Sequence, residues 1–141
     1  MKFVWASMFL VLLVASGLGF SNYLHLIQEE RVTAVSQLRN RDRKEHLRTL
    51  VSAIKEYRSD HSTRLPEGIA HNRRLICRTD VESDCAGLVD LSKLTEEYLV
   101  TIPIDPLVLS GSSTGYAIRK ESNLVIVDAP FAENEDISIS F

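Results

Sequence analysis

Residues 3–20, FVWASMFLVLLVASGLGF, carry no charge over 18 consecutive positions, and no other feature limits the chain as much. As a helix rising about 1.5 Å per residue, this run would span roughly 27 Å, close to the hydrocarbon thickness of a bilayer. A helix is the economical form there, because backbone groups left unpaired in lipid are costly. The expectation is a membrane anchor over residues 1–21, with Phe3, Trp5, Phe9, Leu13 and Phe20 among its anchoring side chains and everything after it outside the lipid. A cleaved secretory signal is the competing reading, with Lys2 as its basic start, Phe3 to Val14 as its core and Ala15-Ser16-Gly17 as the cleavage site. Retention is favoured because the apolar run continues past that site into a helical pattern. Lys2 lies before the run and Arg31 and Arg39 lie after it, so charge bias leaves the orientation open.

Residues 22–61 extend the helix. From Asn22 to Asp60 there is neither proline nor glycine to interrupt one. The early part is polar all round, and the charged run Arg39 to His46 reads as a solvated helix face. Leu47, Leu50, Val51, Ile54 and Tyr57 then fall at i, i+3, i+4, i+7 and i+10, one apolar stripe that must pack on something. The helix is expected to stop between Asp60 and Ser62, ahead of the turn cluster Leu65-Pro66-Glu67-Gly68.

Residues 62–141 read as short elements. Leu91 to Leu99 suits a short helix with Asp90 or Ser92 near its cap. Ile102-Pro103-Ile104-Asp105-Pro106 is extended or turn-like, and Gly111 to Gly115 is a flexible turn. Tyr116 to Lys120 and Leu124 to Ala129 suggest an antiparallel hairpin, while Ile137, Ile139 and Phe141 alternate with serines as in a half-buried strand. The fold class that results is α+β, a long helix whose distal half packs on a small antiparallel sheet.

Charge is distributed unevenly along the chain. Met1 to Arg78 holds 13 basic and 7 acidic residues, whereas Thr79 to Phe141 holds 3 and 12. Opposite potentials of this kind can steer like subunits together, and the plainer reading of the charge is two solvated faces. The basic residues are not interleaved with aromatics on one face, which disfavours a nucleic-acid role. Cys77 and Cys85, the only cysteines, lie in a stretch of loop composition, and in an exported domain such a pair most often forms a disulfide. A metal site would need two more ligands, for which His71 alone is near. No G-x-S-x-G, H-E-x-x-H or G-x-x-x-x-G-K-[ST] motif occurs, so neither catalysis nor a cofactor is indicated.

The order of these parts resembles bacterial type IV pilins and the pseudopilins of type II secretion. Ser21-Asn22-Tyr23-Leu24 is similar to the string where the family's helix leaves the membrane. Arg41 to Leu50 with Ala53, Ile54 and Tyr57 resembles its charged stretch and stripe. Asp60 and Leu65-Pro66, Leu99 to Pro106 (LVTIPIDP), Gly115 to Ile118 and Val127 to Glu133 resemble its later strings, so the likeness covers nearly the whole chain. The family carries a basic leader ending in glycine and a glutamate within the apolar segment. Here only Met1 and Lys2 precede Phe3, and the glutamate position falls near Ser7, which the resemblance matches to a minor subunit. It implies a filament subunit, single-pass in the cytoplasmic membrane with its domain outside. Its partners would be membrane lipid and other pilin-like subunits, with lateral contacts from Arg41, Arg43 and Lys44 to a neighbour's acidic surface. The alternative is a non-assembling exported binding domain, anchored or released.

Overall fold

The structure is a computed structural model of the chain. It describes the backbone of residues 2–81 and 84–141 and the side chains of residues 28, 30–81 and 84–141. The expected anchor side chains Phe3, Trp5, Phe9, Leu13 and Phe20 lie outside the described residues. Among the described ones, no helix is long and apolar enough to cross a membrane.

Helix α1 runs Lys2–Asp60, followed by β1 (Arg74–Cys77), the short α2 (Leu94–Glu97), β2 (Ser113–Glu121), β3 (Leu124–Asp128) and β4 (Ser138–Ser140). The chain divides into two compact units, Met1–Gln37 and Leu38–Phe141. In the first unit Val32 and Val35 are exposed, and the Ser36 hydroxyl donates to the carbonyl of Thr33 at 2.9 Å.

The second unit is α+β, with the long helix packed on a four-stranded antiparallel sheet of order β1-β2-β3-β4. The predicted stripe does this packing: Leu47, Leu50 and Ile54 are fully enclosed, and Val51 and Tyr57 nearly so. They share one core with Ile76, Val89, Leu91, Tyr116, Ile118, Val125 and Val127. Removing so many large apolar side chains from water, at about 25 cal/mol per Å², is the main force holding helix to sheet. The helix ends at Asp60 as expected, and Ser62 and Thr63 then take positive φ. There Tyr57 stacks on His61 at 3.9 Å and meets Tyr98 edge-on, whose hydroxyl donates to Asp60 at 3.1 Å.

Three local expectations need correction. Cys77 lies on strand β1, not in a loop, because its backbone N–H donates to Val89 while the Val89 N–H donates to Leu75, both at 2.9 Å. The Gly111 to Gly115 turn is shorter than expected, since β2 already begins at Ser113. Gly115 sits inside that strand at φ +84°, near the irregularity where β1 pairs with β2 between Leu75 and Cys77. Such a bulge needs left-handed backbone, which glycine adopts without penalty. The Leu91 to Leu99 helix shrinks to Leu94–Glu97, because tight three-residue bonds from Leu94 to Leu91 and from Thr95 to Ser92 form the approach to it. Asp90 caps that approach, accepting from the Ser92 N–H at 2.8 Å.

Candidate functional site

The buried face of α1 does not start at Leu47. Asn40 and Arg43, seven and four residues earlier, continue the stripe at helical spacing, and both are buried, Arg43 completely. A guanidinium enclosed this far must have every charge and donor answered, since an unpaired buried ion costs several kcal/mol. Arg43 meets this requirement from two directions. Its Nε donates to Asp105 Oδ2 at 2.7 Å and its Nη2 to Asp105 Oδ1 at 3.0 Å, a bidentate fork. Its Nη1 donates to Asn40 Oδ1 at 2.7 Å and to Glu133 Oε2 at 3.0 Å.

Two segments from elsewhere in the domain hold these acceptors. Asp105 opens the turn Asp105-Pro106-Leu107-Val108, in which the Val108 N–H donates to the Asp105 carbonyl and the Leu107 N–H to Asp105 Oδ1, both at 2.9 Å. Aspartate before proline is the composition such a turn prefers. The Asp105 N–H donates to Thr114 on β2 at 2.8 Å, which fixes the carboxylate under the helix. Glu133 comes from the segment between β3 and β4, where the Asn40 amide grips its backbone. Asn40 Nδ2 donates to the Glu133 carbonyl at 2.6 Å, and the Glu133 N–H donates to Asn40 Oδ1 at 3.1 Å.

Arg39 adds a second fork, from Nε to Glu133 Oε2 at 2.6 Å and from Nη2 to Oε1 at 2.5 Å. One turn on, Lys44 donates to Glu135 at 2.8 Å. Hydrogen bonds from Arg39 and then Arg43 hold the Glu133 carboxyl down to about 2, from an ordinary 4.5. The Lys44 ammonium likewise lowers that of Glu135. Beside the cluster His46 Nδ1 and the Tyr116 hydroxyl share a 2.7 Å hydrogen bond, and burial pushes the Tyr116 hydroxyl well above its usual range.

This clasp corrects the expectation for the charged run. Within Arg39 to His46, Arg41, Asp42 and Glu45 are exposed as a solvated face would be, whereas Arg43 is enclosed and Arg39 and Lys44 pair with acids of their own chain. Arg43 and Lys44 bind acids of their own chain, and of the three candidate contacts only Arg41 is exposed without an ion pair among the described residues. The basic and acidic halves of the sequence do meet, but within one subunit. Apolar periodicity misses Asn40 and Arg43 because they are polar. The spacing of 40, 43, 47, 50 and 54 on one helix face was the available signal. The Asp105-Pro106 dipeptide was its counterpart.

Cys77 and Cys85 form a disulfide, as expected, with Cα atoms 5.6 Å apart. Both sulfurs are thereby withdrawn from any metal site with His71, whose Nδ1 lies instead 3.1 Å from the Lys120 carbonyl.

No family model, curated protein or solved structure matches this chain. The clasp is equipped to hold segments in register.

Proposed function

We propose that the chain is a pilin-like or pseudopilin-like subunit, a minor component of a type IV pilus or type II secretion filament. It is anchored in the cytoplasmic membrane by Phe3 to Phe20 and carries its domain outside. The observation that carries this reading is the single helix Lys2–Asp60, whose far end supplies the core face for an antiparallel sheet. At its other end the same helix includes 18 uncharged residues, enough to reach across hydrocarbon. The Cys77–Cys85 disulfide suits an oxidising compartment beyond the cytoplasm.

With Arg43 and Lys44 engaged internally, lateral packing falls to apolar helix surface. Val32 and Val35, exposed at 62% and 46%, are spaced to share one face of it.

The test is the intact mass of the mature protein from membranes, together with its detection in sheared surface filaments. The expected result is a chain that keeps its apolar segment, begins at or before Phe3 and co-purifies with filaments. A soluble chain lacking roughly 17 N-terminal residues would instead establish signal cleavage and a released binding domain.

A further inference from the structure

Where α1 ends, the second unit has an open cavity of about 540 Å³ whose lining includes three cations, Arg58, Arg64 and Lys120. Arg58 comes from the last turn of the helix, Arg64 from the turn after it and Lys120 from the end of β2. Backbone bonds hold these walls in place. The Thr63 N–H donates to the Arg58 carbonyl at 2.8 Å, the Arg64 N–H to His61 at 3.1 Å and the Lys120 N–H to Ala70 at 2.8 Å.

Elsewhere in the domain, Arg39, Arg43, Lys44, Arg73, Arg78 and Arg119 each have a carboxylate partner, while Arg41, Lys55 and Arg74 have none among the described residues but do not line this cavity. Among the described residues none accompanies Arg58, Arg64 or Lys120. The one acid on the lining, Glu67, is 90% exposed and lies 3.7 Å from Lys93, which lines a different cavity. In a chain of net charge −3, three unanswered cations around one concavity are a local excess, and a recess with low-dielectric walls strengthens their field. The guanidiniums offer planar forks suited to oxyanions, the ammonium adds a point charge, and Thr63 and Asn123 add neutral donors at the wall.

We propose that this cavity is a binding site for a phosphate group carrying two negative charges, as a free phosphate or monoester or as a lipid headgroup. The site lies wholly within the Leu38–Phe141 unit and stands whether or not subunits polymerise.

The experiment uses the full chain in zwitterionic micelles, following the amide resonances of Thr63, Gly68 and Asn123. Inorganic phosphate is titrated in one arm and phosphatidic acid mixed into the micelles in the other, against chloride at matched ionic strength. The expected result is a saturable shift of these amides in at least one arm, and the responding arm identifies the source. R64Q/K120Q should weaken that binding about tenfold or more with the rest of the spectrum unchanged, whereas R41Q/R48Q, which alters cations elsewhere, should bind as the native chain does. Should the double variant misfold, Arg64→Gln alone, in an exposed turn, must still weaken binding severalfold. Absence of saturation in both arms overturns the proposal, and so does equal weakening by the two pairs of substitutions.

Discussion

Gly115 shows how narrowly single residues are constrained around the clasp. An added Cβ would lie 2.7 Å from Val108 Cγ2, 2.8 Å from Asp105 Cβ and 3.2 Å from Phe131, at a backbone angle of +84° that L-residues seldom adopt. Gly115→Ala is therefore expected to combine left-handed strain with overpacking, a loss of roughly 2–4 kcal/mol in urea unfolding. Because the new methyl presses on Asp105, the damage should reach the Arg43 fork. Phosphate-free spectra of the variant should show the Arg43 and Leu107 signals moved as well. The sequence hinted at a turn here but not at a close approach, since a lone glycine in a run of small polar residues does not disclose what packs over it.

At the scale of elements, the segment between β3 and β4 is bound to α1 mainly through Glu133 and Glu135. The Glu133 carboxyl is lowered to about 2 from 4.5, so its stabilising contribution is complete above pH 4.5 and fades as pH falls toward 2. Thermal midpoints measured from neutral pH down to about 3 should therefore drop steeply below 4.5 in the native chain. Glu133→Gln should begin lower and show a shallower decline, Glu135 and Asp80 still contributing their own lowered carboxyls.

The elements themselves were largely legible. The Leu47 to Tyr57 stripe, the Tyr116 to Ala129 hairpin and the alternation at Ile137, Ile139 and Phe141 are apolar periodicities, and burial follows such patterns directly. Strand β1 was hidden because its four residues begin with Arg74, directly after Arg73, and its pairing with distant β2 leaves no local trace. The clasp was hidden for a related reason. Polar residues at Asn40 and Arg43 look solvated until partners more than 60 residues away close over them.

For the whole molecule, the clasp changes what the uneven charge is for. A basic first half and an acidic second half suggested attraction between subunits, yet Arg39, Arg43 and Lys44 engage Asp105, Glu133 and Glu135 of their own chain. The charged stretch thus closes the domain around its helix. On the proposed reading, exposed apolar helix surface serves packing against other subunits, and the cationic cavity serves a ligand. Had Arg43 been a surface contact, reversing its charge would spare the monomer. Buried at 0% exposure against Asp105, it makes the monomer itself depend on the pair.

The most direct measurement is a double-mutant cycle in which Arg43→Met, Asp105→Asn and the double variant of the full chain are unfolded in urea. Asparagine keeps the turn bond to Leu107, so the cycle isolates the ion pair. The clasp predicts that Arg43→Met costs about 3–5 kcal/mol, because it strands a buried carboxylate. It also predicts that the double variant costs less than the sum of the singles by more than about 1 kcal/mol. Strict additivity, or an Arg43→Met chain within about 0.5 kcal/mol of native as at an ordinary surface site, would contradict it.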